Sequence, residues 1–236
     1  MKFGVIVFPG ANCDRDIAYI LRDILGQPTR MVWHEDSDLS DVDVVVVPGG
    51  FSYGDYLRCG AIAQFSPAMR STVAHAKQGK QVMGICNGFQ VLTEMGLLPG
   101  ALVRNRDLHF VCDRIPMTVE RNDLPWTQGY QQGQVITLPI AHGEGCYFAD
   151  DDTIKSLEDN NQVLFRYCDA NGKASDTANP NGSLNNIAGI CNRAGNVLGM
   201  MPHPERAADA ALGNTDGLAL FKGLLEGLTS SAKVAA

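Results

Sequence analysis

Val44 to Val47 are four consecutive valines, an apolar run that stops at Pro48-Gly49-Gly50. β-Branched side chains favour the extended backbone. A run that is apolar without alternation suits a strand covered on both faces, as in a parallel sheet. Parallel strands need crossover connections, usually helices. The flanking sequence supplies both kinds of element. Phe3 to Phe8, Arg30 to Trp33 and Gln81 to Ile85 read as further strands, the first ending at Pro9-Gly10. Asp14 to Leu25 places Ile17, Ile20, Leu21, Ile24 and Leu25 at helical spacing, with Gly26 as a stop. Pro67 to Gln78 and Gly88 to Met95 read as two more helices. This alternation predicts an α/β fold: an open, mainly parallel sheet flanked by helices. Ligands of such sheets sit beyond the carboxyl ends of the strands. Gly49-Gly50 and Cys86 both fall on that edge.

The second half changes character. Ile115 to Glu120, Gln134 to Ile140, Gln162 to Tyr167, Ile187 to Cys191 and Val197 to Met201 read as shorter strands. Turn-forming runs such as Asp169-Ala170-Asn171-Gly172 and Asn179-Pro180-Asn181-Gly182 separate them. These five strands are expected as antiparallel additions to the sheet. Asp216 to Leu228 reads as a closing helix, and Thr229 to Ala236 as a frayed tail. No linker or internal repeat divides the chain, so residues 1–228 are expected to form one domain.

Composition narrows the function. The 236 residues carry a formal net charge of -7. An acidic surface repels phosphate backbones, so nucleic acid is a poor partner. Seven cysteines, an odd number without C-x-x-C spacing, fit neither a disulfide framework nor a zinc site. No stretch approaches the ~20 apolar residues of a membrane span. The amino-terminal MKFGVIVFPGANCD lacks the pattern of a signal peptide. A reducing cytoplasm is the expected location.

The strongest chemical signal is Gly84-Ile85-Cys86-Asn87-Gly88, a G-x-C-x-G pattern at a strand-to-helix junction. That is the layout of a nucleophile elbow with cysteine in the serine position. The glycines relieve crowding at a sharp turn. The following helix aims its amino-terminal amides and positive dipole end at the thiol, favouring the thiolate. The Asn87 amide could donate to an oxyanion. The remaining six cysteines lack this frame and read as structural.

A thiol nucleophile needs a base and a group to orient it. Met201-Pro202-His203-Pro204-Glu205 offers both, with prolines restricting the backbone. Its bland alternative is a surface turn with a solvated histidine and glutamate. Pro48-Gly49-Gly50-Phe51 could bring a second backbone donor to the oxyanion, or be an ordinary turn. Ala141-His142-Gly143-Glu144-Gly145 reads as a glycine-rich turn that could line a pocket, contact a partner, or do neither. His34, His75 and His109 read as structural or solvated. There is no G-x-x-x-x-G-K-[ST] loop, no G-x-G-x-x-G fingerprint and no H-E-x-x-H cluster. No cofactor is therefore expected in this chain.

With these motifs in view, the sequence resembles the class I glutamine amidotransferases, from the first strand to about Leu228. FSYGDYLR (51–58), IAHGEG (140–145) and NPNGS (179–183) point within that family to the branch serving purine biosynthesis. The resemblance implies Cys86 as nucleophile, His203 as acid/base and Glu205 as its orienter. It implies the amides of Gly50 and Asn87 as the oxyanion hole, and Gln90, His142 and Gly143 as contacts for L-glutamine. It also implies two partners. A large synthetase subunit would hold ATP and magnesium and convert formylglycinamide ribonucleotide to its amidine with the ammonia released. A small accessory subunit would help assemble the complex. Three rivals carry different consequences: a glutaminase for another pathway, a catalytically idle scaffold, and a cysteine or γ-glutamyl hydrolase acting alone on peptides.

Overall fold

The structure, a computed structural model, describes the backbone of residues 1–234 and the side chains of residues 1–229. The first half of the chain forms β1 (Phe3–Val7), α1 (Asp14–Tyr19), β2 (Thr29–Trp33), β3 (Val44–Val47), α2 (Pro67–Lys77), β4 (Gln81–Ile85) and α3 (Asn87–Glu94). Then come β5 (Ala101–Val103), β6 (Val111–Val119), β7 (Val135–His142), β8 (Cys146–Phe148), α4 (Asp151–Asp159), β9 (Val163–Tyr167), β10 (Ile187–Cys191), β11 (Val197–Met200) and α5 (Leu218–Val234).

Nine strands make one sheet in the order β2-β1-β3-β4-β11-β10-β9-β6-β7. The first five are parallel. Counted along the chain, they stand 2-1-3-4-5, the flavodoxin-like order. The last four run antiparallel to their neighbours. The valine run behaves as its composition demands, since Val44 to Val47 are each at most 1% exposed. β5 and β8 pair separately as a small antiparallel ribbon.

Local signals explain most element ends. Ser66 caps α2, its hydroxyl accepting from the Met69 N–H at 3.3 Å, with Pro67 in the first turn. α1 continues through Ile20–Ile24 as a wider π turn, in which the Leu25 N–H reaches back to the Ile20 carbonyl at 3.0 Å. The short strands β5 and β8 and the helix α4 were not expected. α4 has a start signal in Asp150, which accepts from the Thr153 N–H at 2.7 Å, but Leu157 is its one buried residue.

Two expectations need correction. Val197 to Met201 was grouped with the antiparallel additions, yet β11 lies parallel to β4, with Gly199 opposite Gly84. A short apolar strand does not declare its partner. Its neighbour is set here by packing, because Phe89 of α3 fills the space beside the bare Gly199 backbone. The closing helix also runs past Leu228 to Val234, into the segment expected to fray. No proline or glycine interrupts residues 229–234, and the Thr229 hydroxyl donates to the Leu225 carbonyl at 2.6 Å. Residues 235 and 236 of that tail lie outside the described residues.

Candidate active site

Cys86 joins β4 to α3 with φ 52° and ψ -107°, a conformation that an L-residue adopts only when its surroundings enforce it. Its N–H donates to the Met200 carbonyl at 2.8 Å, and its carbonyl accepts from the Gln90 N–H at 3.2 Å. The flanking glycines make room for the bend. A side chain on Gly84 would sit 2.6 Å from Leu92 Cδ1 and 2.7 Å from the Gly88 backbone. One on Gly88 would run into the Val47 carbonyl oxygen. The G-x-C-x-G pattern is thus a packing requirement where β3, β4 and α3 close on one another.

β11 delivers the second group. Just beyond it, the His203 N–H donates to the Pro139 carbonyl at 2.8 Å, and His203 Nδ1 meets Glu205 Oε1 at 2.6 Å. Both residues are only 1% exposed, so the solvated-turn alternative is overturned. His203 Nε2 is buried without a hydrogen-bond partner. Burial alone would lower the His203 pKa. The negative charges of Glu205 and Cys86, with the nearby Cys13 thiol, outweigh it and hold the imidazolium well above its usual range.

Between the strands lies Gly49. A side chain there would come within 2.8 Å of His203 Cε1, 3.1 Å of Cys13 Sγ and 3.3 Å of Cys86 Cβ. Three elements therefore converge on a cavity of about 130 Å³, bordered by Cys13, Gly50, Cys86, His203 and Arg206, with Phe51 at its rim. Gly50 has φ 140° and bridges to Ala11. A side chain on it would approach Ala11 Cα and Asn12 N to 2.8 Å, so the backbone there stays bare beside the thiol.

The other sequence-predicted residues sit one layer back. Asn87 is buried. Its side chain accepts from the Ser52 N–H at 3.1 Å and donates to Asp55 Oδ1 at 3.1 Å and Gln90 Oε1 at 2.9 Å. It ties the loop after β3 to α3. Gln90 donates to the Glu144 carbonyl at 2.6 Å and does not border the cavity. His142 ends β7 rather than lying in a turn. It is buried against Asn105 Oδ1 at 3.2 Å and Asn181 Nδ2 at 3.4 Å. Burial and the charge of His203 push its pKa down to about 4, so it stays neutral near pH 7. The Gly143 carbonyl accepts from the Asn105 N–H at 2.9 Å. The NPNGS segment braces this turn, Asn181 Nδ2 donating to the Gly145 carbonyl at 2.8 Å.

Sequence reasoning missed three residues at the site. Cys13, read as merely structural, is 2% exposed and takes a hydrogen bond from Arg206 Nη2 at 3.0 Å. Its signal was available, because GANCDRD follows the first strand on the same sheet edge. Arg206 directly follows Glu205 and also pairs with Asp16 at 3.2 Å. Asn105 had no signal in spacing or composition.

An elbow cysteine beside a buried Glu–His pair, on the carboxyl edge of a sheet in flavodoxin order, is the arrangement of the class I glutamine amidotransferases. Residues 1–216 match the family model of the CobB/CobQ-like glutamine amidotransferase domain. The chain belongs to the PurQ family within that class. The phosphoribosylformylglycinamidine synthase subunit PurQ of Acaryochloris marina is 71% identical to it, over 100% of both chains. The subunit of the same name from Trichormus variabilis is 69% identical, over 98% of this chain and 100% of the relative. Among solved structures, a chain of PurLQS from Thermotoga maritima superposes with a TM-score of 0.85 at 43% identity, covering 96% of this chain and 98% of that one. No helix among the described residues is long and apolar enough to cross a membrane.

Proposed function

We propose that the protein is the glutaminase subunit of phosphoribosylformylglycinamidine synthase, acting in the cytoplasm in purine biosynthesis. One observation carries the chemistry: Glu205 holds His203 at 2.6 Å, and the unpartnered Nε2 of that buried ring lies at the cavity of the elbow cysteine. The Cys86 thiolate attacks the side-chain amide carbon of glutamine. The amides of Gly50 and Asn87 receive the oxyanion. His203 protonates the leaving ammonia and then activates water to hydrolyse the γ-glutamyl thioester, releasing glutamate. Gln90, His142 and Gly143 support the glutamine pocket from behind.

The names and architectures of the relatives support the pathway assignment. Ammonia passes to a large synthetase subunit, which holds ATP and magnesium and makes the amidine from formylglycinamide ribonucleotide. A small accessory subunit completes the assembly. The deciding experiment is glutamate release from glutamine, with and without the synthetase subunit and its ligands, for wild type and Cys86→Ala. Activity should rise on assembly and vanish in the variant, while synthesis from added ammonia survives. Retained glutamine use by Cys86→Ala would refute the nucleophile assignment, and indifference to the synthetase would refute the partner.

A further inference from the structure

Residues 51–58, FSYGDYLR, take no part in the proposed glutaminase steps, yet they follow directly on Gly50. Their backbone takes an unusual course. Tyr53, Asp55 and Leu57 have φ of 55°, 52° and 74°, a region that residues other than glycine hold only where the surroundings enforce it. We propose that Asp55 is a positioning residue of the oxyanion hole: through the side-chain amide of Asn87 it holds the Gly50–Ser52 backbone in register with the elbow. This role presupposes the glutaminase reaction and falls to a residue that does not border the cavity.

The two amides of the oxyanion hole belong to different segments. Asn87 opens α3, whereas Gly50 lies in the loop after β3. Two donors aimed at one oxygen need a fixed separation, and the Asn87 side chain spans the gap. Its Oδ1 accepts from the Ser52 N–H at 3.1 Å, two residues beyond Gly50. The N–H groups of Phe51 and Tyr53 donate instead to the carbonyls of Gly10 and Pro9, at 3.0 and 2.7 Å. Ser52 is therefore where this stretch is tied to the elbow.

A primary amide makes that tie in one orientation only, with its oxygen towards Ser52. Asp55 sets the orientation. Its Oδ1 accepts from Asn87 Nδ2 at 3.1 Å, and a carboxylate offers acceptors alone, so the nitrogen must face it. Gln90 Oε1 takes the second Nδ2 proton at 2.9 Å, but a glutamine amide can present either end, which leaves Asp55 as the group of fixed sign. Burial raises the Asp55 pKa, whereas donors from Cys59, Asn87 and Gly60 favour its anion. The carboxylate is itself anchored to the helix that starts at the elbow. The Cys59 thiol donates to Oδ2 at 3.1 Å, Arg58 Nε donates to Glu94 Oε1 of α3 at 2.6 Å, and a side chain on Gly60 would come within 2.8 Å of the Val91 nitrogen. Without the carboxylate the Asn87 amide is free to turn its NH₂ group against the Ser52 N–H, and the loop carrying Gly50 loses its tie.

The test uses the full chain assembled with the synthetase subunit and its ligands. Asp55→Gly removes the carboxylate at a φ that glycine takes without strain. It should lower kcat for glutamate release about 10–100-fold with KM unchanged, because the oxyanion exists only after attack. The γ-aldehyde analogue of glutamine, to which the Cys86 thiolate adds to give a thiohemiacetal with its oxygen in the oxyanion position, should bind more weakly by the same factor. Alkylation of Cys86 by iodoacetamide develops no oxyanion and should keep its wild-type rate. Asp55→Asn retains an oxygen acceptor for Asn87 and should recover most of the loss. In an Asn87→Ala background Asp55→Gly should cost little more, since both act through one link. An unchanged kcat in Asp55→Gly, a loss confined to KM, an equal loss of iodoacetamide reactivity, or additive losses in the double variant would overturn the proposal. If Asp55→Gly fails to fold, Asn87→Ala reads the same link from its other end, and normal aldehyde affinity there overturns the proposal equally. A wild-type complex that releases no glutamate would refute the glutaminase reading itself, and this role with it.

Discussion

His203 and His142 share one buried site yet are pushed in opposite directions. Glu205 and Cys86 hold a proton on His203 against the cost of burial, whereas His142 has no carboxylate and loses its proton to burial and to the charge of His203. The consequences for stability have opposite signs. A raised folded pKa stabilises the protein below the unfolded value of about 6.5, and that contribution fades as pH climbs through the folded value. Glu205→Gln should therefore flatten the alkaline side of the melting profile, and its glutaminase rate should fall about 10²–10⁴-fold because the base loses its orienter. A lowered folded pKa works the other way. The unfolded chain protonates His142 near pH 6.5 and the folded chain only near 4, so acidification across that window costs about 3 kcal/mol. Urea titrations of wild type and His142→Gln at pH 7 and pH 4.5 measure this, and the variant should lose less on acidification.

At the scale of elements, the β4–α3 junction sets the tolerance of the site. The missing side chain of Gly88 is replaced by the carbonyl of Val47 on the neighbouring strand, and a backbone atom cannot step aside as a side chain can. Gly88→Ala should cost at least about 3 kcal/mol, the upper part of the range for overpacking, measured by denaturant unfolding. Such steric demands write themselves into sequence, which is why the elbow, the valine strand and the H-P-E turn could all be read there. What could not be read depends on distant partners. Nothing within Val197–Met200 says that it lies beside β4 rather than beyond β9. Cys13 looks like any buried cysteine until β1 is placed two strands from β4. β5 and β8, three residues each, are too short for alternation to register. The turn at Cys86 was legible because its glycines belong to the elbow, whereas Asn105 acts only through a turn brought to it by the fold.

Across the whole molecule, the carboxyl-terminal helix stabilises the site although it lies beyond the residues matched by the family model. Gly217 packs its bare backbone on the Pro204 carbonyl. Asp216 accepts from Tyr130 Oη and from the Thr137 N–H, at 2.7 and 2.8 Å. Leu220, Phe221 and Leu224 of α5 are at most 1% exposed. Burying three such side chains contributes roughly 5–9 kcal/mol, comparable to the entire stability of a typical domain. Truncation after Gly217 should leave a chain without a cooperative unfolding transition, whereas truncation after Leu228 should melt close to the full chain. Calorimetry of the two truncations tests both.

The position of β11 has a further consequence, for the order in which the molecule is made. It is the last strand in sequence and the middle strand of nine, the slot between the parallel and antiparallel halves. Cys86 and His203 stand about half the chain apart and meet only when that slot is filled. Pairings between segments so distant form slowly. A nascent chain emerging from the ribosome exposes its elbow cysteine long before the histidine is synthesised. A chain that stops before β11 therefore lacks both the middle strand of the sheet and the histidine that this strand carries to the elbow.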